Sequence, residues 1–271
     1  MIPIQNMLNR FILLSIFLIV VLSFETASSE YSGSSEDIRL IDLIKNSSNY
    51  FVSDRSILWV EKGYLTDEET ITLQQKIDSS IQNIEKYIGI DFDKKIYRKE
   101  KIEYFIHSSI KVSHTITGYQ PRKYMHPVIF LAYAAEKSTP YVHETVHIIA
   151  WDWYAPWLEE GLAVFLNDAL NGYPSFPNFG ENIEELAPKM LRFKEALREI
   201  GLYEPPEFTS KIERRAFYIL SGSFVKYLCD QFGVTKFMQI YKAEDSNKAA
   251  VNITGKKLQT LKAEWVKHIT N

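Results

Sequence analysis

Tyr141-Val142-His143-Glu144-Thr145-Val146-His147-Ile148-Ile149 is an H-E-x-x-H pattern set among residues that favour a helix. Positions four apart lie one above the other on a helix face, so the two imidazoles can converge on one ion while Glu144 projects beside them. The spacing makes His143 and His147 candidate metal ligands and Glu144 a candidate general base for metal-assisted hydrolysis. The competing reading is a core helix whose two histidines are satisfied by ordinary hydrogen bonds.

A catalytic zinc takes three protein ligands and keeps one position for water, so a third ligand has to come from another element. The positions at which the extended three-histidine motif would place its Gly and third His carry Ala150 and Trp153. A carboxylate remains, and the next segment reads Ala155-Pro156-Trp157-Leu158-Glu159-Glu160-Gly161-Leu162-Ala163-Val164-Phe165-Leu166. Pro156 suits a first helical turn, and the rest forms helix readily. On that helix Trp157, Glu160, Ala163, Val164 and Asn167 share one largely apolar face. A carboxylate buried there needs a cationic partner, because desolvating it bare is very expensive. Zn²⁺ would supply one, with Glu160 as third ligand.

The combination of H-E-x-x-H with W-L-x-E-G-L-A resembles the gluzincin superfamily of zinc metallopeptidases, the relatives of thermolysin and the M1 aminopeptidases. It resembles in particular the small bacterial proteins called peptidase MA-like. Two further blocks extend the resemblance over roughly residues 100–269. One is A-F-Y-I-L-S-G-S-F-V-K-Y-L at 216–228 followed by Gln231-Phe232-Gly233, and the other is T-G-K-K-L-Q-T-L-K-A-E-W at 254–265. The resemblance selects Glu160 rather than Glu159 as third ligand, with twelve residues between it and His147. It also implies that Tyr218 approaches the zinc and stabilises the oxyanion. The implied fold is α+β and zincin-like: a small mixed sheet with an edge strand, an active-site helix, then a mainly helical C-terminal subdomain. In that fold the edge strand takes up substrate backbone by strand addition, and residues 128–133 are the candidate here. One departure stands out. Thermolysin-like enzymes place an Asp four residues after the ligand Glu to orient a His, whereas this chain has Val164, so Asn167 and Asp168 become the candidates for that duty.

The chain has 271 residues, of which 46% are hydrophobic, enough for one large domain with a sizeable core. A net charge of -3 and the lack of a dense Lys/Arg block argue against a nucleic-acid partner. Arg10 followed by the apolar run 11–24 and by Ala27-Ser28-Ser29 reads as a secretory signal peptide over 1–29, or as a membrane anchor if uncleaved. Either way an exported protein is expected, secreted or held in the cell envelope. Residues 30–36 read as a linker, and 37–271 as the peptidase domain, divided into an α/β part (37–150) and a helical part (151–271). Cys229 is the single cysteine, so no intramolecular disulfide is possible, and its place on an apolar helix face makes it a packed thiol.

Within the α/β part a short helix is expected over 38–46 and a strand over 56–60. A helix follows over 66–88, capped by Thr66 with Glu69 three residues on, and then strands over 101–107, 113–119 and 127–133. The loop 171–180, rich in Pro, Gly, Asn and aromatics, either covers the cleft or merely connects helices. His107, His114, His126 and His268 lack ligand spacing and read as surface or structural residues. Two other functions compete with a peptidase acting on peptide or protein substrates: a zinc amidase acting on cell-wall peptides, and an exported binding module that keeps the fold without turnover.

Overall fold

The computed structural model describes residues 35–91, 101–116, 127–151, 154–204 and 207–271. The expected signal segment, most of the linker, the distal half of the 113–119 strand and His126 lie outside them. Helix α1 (Ser35–Ser47) begins inside the expected linker and runs directly into β1 (Ser48–Val52). After β2 (Ser56–Glu61) comes α2 (Asp67–Ile88), and then β3 (Ile102–Ile106), β4 (His114–Ile116) and β5 (Val128–Leu131). The motif helix α3 is Tyr141–Ile149 and the second helix α4 is Pro156–Ala169. Beyond it lie α5 (Ile183–Met190), α6 (Lys194–Glu199), α7 (Lys211–Phe232), α8 (Val234–Tyr241), α9 (Ser246–Thr254) and α10 (Leu258–Thr270). The architecture is therefore mixed α+β, with helices filling the C-terminal part.

The strands form one sheet in the order β1-β2-β3-β5-β4, parallel in the middle and antiparallel at both ends. Its two faces are sorted by the period-two alternation of strand side chains. Tyr104, Ile106, Ile129 and Leu131 face the main core with α2 and α3, while Phe105, Val128 and Phe130 face a smaller core closed by Ile41 and Ile44 of α1. Long α2 connects the parallel strands β2 and β3. It starts on the expected capping box, with Thr66 accepting from the Glu69 amide and the Glu69 carboxylate accepting from the Thr66 amide, and it stops at Gly89 with φ +68°.

One expectation is overturned. The 128–133 segment is not an edge strand: β5 pairs with β3 on one side and β4 on the other, so its backbone is already in the ladder. All four of its residues are buried, as a strand covered on both faces requires. The edge beside α3 is β4 instead. His114 and Ile116 turn toward α1, with His114 stacked on Phe130 and bonded to Asp37, and Thr115 turns the other way, toward α3.

Two glycines fix how α4 meets α7. A Cβ on Gly161 would come within 2.7 Å of the Ser221 carbonyl oxygen, and one on Gly222 within 2.7 Å of a Val164 methyl. Each helix presses its glycine against the other's wall, so the two axes approach closely. Glu160 precedes the first glycine and Tyr218 lies one turn before the second, so this contact sets the distance between them.

Candidate metal centre

All nine residues of α3 are buried. The helix is held on the sheet through Tyr104, whose hydroxyl lies 2.8 Å from Thr145 Oγ1, and Thr145 also donates to the Tyr141 carbonyl. This seating turns His143, His147 and Glu144 toward α4 and β4. His143 Nε2 and His147 Nε2 stand 3.1 Å apart. Glu160 Oε2 completes a triangle, 3.3 Å from the first and 3.7 Å from the second. An ion held tetrahedrally by bonds of about 2.0–2.1 Å would space its donors by about 3.3–3.4 Å, so all three corners can be reached from one point at zinc–ligand length. His143, His147 and Glu160 are a group able to hold a metal ion.

The unsatisfied atoms support the fit. Glu160 Oε2 is buried and meets no aligned hydrogen-bond donor, whereas Oε1 accepts from the Tyr218 hydroxyl at 3.0 Å. One carboxylate oxygen is thus fixed by the protein, and the other is directed at two imidazole nitrogens. A buried acceptor in that position calls for a cation. Burial would lower the His147 imidazole, but Glu159, Glu160 and Glu144 around it hold it up at about 10. Burial likewise raises Glu160, yet His143 and His147 outweigh it and bring the carboxyl down to about 2.

A carboxylate that the sequence alone does not single out faces His147 from its other side. Glu159 Oε1 stands 3.0 Å from Nδ1, close enough for an ion pair although off the line of a straight hydrogen bond, while Nε2 faces His143 and Glu160. Neither expected candidate takes that role. Asp168 accepts from Asn178 Nδ2 at 2.9 Å, and Asn167 Oδ1 has no hydrogen-bond partner and lies beside Gly172. Val164, where an Asp would be expected, is committed to the α4–α7 contact through Gly222.

Glu144 is a second carboxylate with a fixed oxygen. Thr115 Oγ1 on β4 donates to its Oε2 at 2.8 Å and lies 3.2 Å from its backbone carbonyl. Tyr218 reaches the cluster as expected, its ring stacked on His143 at 6.2 Å between centroids. Its single proton, however, is directed at Glu160. The phenol oxygen accepts in turn from Arg214 Nη2 at 3.4 Å, and that guanidinium lies 5.6 Å from the ring centroid. Burial first, and then the Glu160 charge, raise the phenol above its ordinary value, so it remains a donor at neutral pH. His107, His114 and His268 lie apart from this group, on Ser109 and Glu61, on Asp37 and Phe130, and on Tyr227 respectively. Cys229 is buried and reduced, as expected.

Among the described residues no helix is long and apolar enough to cross a membrane. No family model matches the sequence, and no curated protein matches it.

Proposed function

We propose that this chain is an exported zinc-dependent metallopeptidase of gluzincin type, with a zincin-like fold. The observation that carries the proposal is the buried triangle of His143 Nε2, His147 Nε2 and Glu160 Oε2 beside the carboxylate of Glu144. An antiparallel edge strand running past the motif helix, followed by a helical half that supplies the third ligand, agrees with that family's arrangement.

Zn²⁺ in the triangle would act as a Lewis acid, acidifying a water and polarising a carbonyl. Glu144 is not needed as a ligand and serves as the base: its fixed oxygen stays on Thr115, and the other takes the water proton and passes it to the leaving amine. Glu159 keeps His147 in the tautomer that directs Nε2 inward. Tyr218 orients Glu160 in the resting site, and its O–H is the donor we assign to the developing oxyanion, which it reaches by turning from Glu160.

The test is metal analysis of the purified protein together with hydrolysis of casein and of peptidoglycan fragments, each with and without a chelator. The proposal expects about one zinc per chain and chelator-sensitive cleavage of casein. Glu144→Gln should keep the zinc and lose the cleavage. Cleavage of peptidoglycan peptides alone would make the enzyme an amidase, and zinc without turnover of either substrate would make it a binding module.

A further inference from the structure

The connection between α4 and α5 is pinned at its base from several directions. Asn178, only 3% exposed, donates through Nδ2 to Asp168 Oδ1 at 2.9 Å and to the Glu181 carbonyl at 2.8 Å. Ser138 Oγ donates to the Pro174 carbonyl at 2.7 Å, and Arg215 Nε to the Pro177 carbonyl at 2.7 Å. Phe179 is held in the left-handed region at φ +53°, a conformation that bulky residues adopt only when their surroundings impose it. A loop fixed this firmly could have turned its rings inward. Instead Phe176 is 38% exposed and Phe179 55% exposed.

Their location makes the exposure informative. The Phe176 ring meets the Tyr218 ring edge to face at 5.3 Å, and Tyr218 is bonded to the ligand carboxylate of Glu160. Phe179 lies 6.2 Å from Phe176 and farther from the cluster, with the Arg215 guanidinium on its ring at 5.3 Å. The two rings therefore form a step that begins one side chain away from the metal ligands and opens to solvent.

We propose that Phe176 and Phe179 form a substrate subsite for an aromatic or large aliphatic side chain of a peptide, close to the bond that is cut. The inference rests on the metallopeptidase reading and names the class of peptide that the site selects. An aromatic step gains by burying an incoming apolar side chain and by edge-to-face contact with an incoming ring, and it gives nothing to Gly or Asp. Because the loop is already ordered, little of that gain is lost to freezing it. A membrane or a second copy resting on the same rings would instead cover the approach to Tyr218.

The full chain carrying Glu144→Gln is the form to test, since it holds peptides without cutting them. Binding is measured by calorimetry for peptides Ala-Ala-X-Ala-Ala with X as Phe, Leu, Gly or Asp. Phe and Leu should bind about 10- to 100-fold more tightly than Gly and Asp. Phe179→Ala, which leaves the Tyr218 contact alone, should flatten that preference to about twofold with zinc content and melting temperature unchanged, and Phe176→Ala should do the same. A preference that survives the double substitution, or no preference in the parent, overturns the proposal. So does a change in sedimentation or vesicle binding on removing the rings while peptide preference stays intact. Sorting of peptides by a protein that never hydrolyses them would defeat the metallopeptidase reading and leave the subsite standing.

Discussion

Thr115 Oγ1 and Glu144 Oε2 are joined by a 2.8 Å hydrogen bond across 29 residues of sequence, linking the edge strand β4 to the proposed base. The hydroxyl occupies one carboxylate oxygen and leaves the other for the proton transfer we propose. Thr115→Val keeps the shape and removes the donor. We expect kcat to fall about 10- to 100-fold, as for a misplaced catalytic group, with KM and zinc content unchanged. Thr115→Ser should restore most of the loss. A valine variant with undiminished kcat would reduce the contact to packing.

Glu159 gives a separate prediction about the metal. Glu159→Ala removes the carboxylate facing His147 Nδ1 and leaves the three ligands in place. Zinc affinity, measured by competition with a fluorescent chelator, should weaken about 10- to 100-fold. Asn167→Ala should leave it within about twofold, since Asn167 Oδ1 makes no hydrogen bond and lies beside Gly172. An unchanged affinity in the Glu159 variant would show that His147 needs no outer partner.

The contrast between Glu160 and Glu159 shows what was legible in the sequence. Glu160 follows from helical periodicity, because its face is set by Trp157, Ala163 and Val164 on the same helix. Glu159 points about 100° away around that helix, and only the way α4 lies against α3 brings it to the other nitrogen of His147. Thr115 is less legible still, since its role depends on strand order. The apolar run of β5 shows burial but cannot tell a central strand from an edge one, so 128–133 reads as an edge from sequence and lies inside the sheet in the structure. Strand β1 has the opposite problem: Ser48-Asn49-Tyr50-Phe51-Val52 is largely exposed and owes its form to pairing with β2. The capping box of α2 needs nothing beyond local chemistry, and the structure forms it at Thr66 and Glu69.

The glycine contact between α4 and α7 predicts a coupled pair. Gly222→Ala drives a methyl into Val164 and should cost about 1–3 kcal/mol of stability in urea unfolding, as overpacking does. Val164→Ala removes the obstructing methyls and, by itself, leaves a cavity. The double variant should therefore be more stable than the sum of the two losses allows, by about 1 kcal/mol or more of coupling. Additive losses would mean that the helices do not touch at that point.

The charges of the His143–His147–Glu160 cluster fix how stability depends on pH. In the metal-free protein the His147 imidazole lies at about 10, well above its ordinary value of 6.5. A raised value means that the folded state holds the proton more tightly than the unfolded chain does. The resulting stabilisation is complete below about pH 6.5 and disappears as pH climbs through 10. Glu160 behaves oppositely: at about 2 against an ordinary value of 4.5, its contribution is complete above pH 4.5 and disappears as pH falls toward 2. Thermal melts in excess chelator should therefore peak between about pH 4.5 and 6.5 and decline toward pH 9.5. His147→Gln should abolish most of the alkaline decline. Zinc must displace the His147 proton to bind, so the rise in melting temperature on adding zinc should grow as pH is raised from 6 toward 9. A zinc effect that stays level over that interval would mean that no proton leaves His147 when the metal enters.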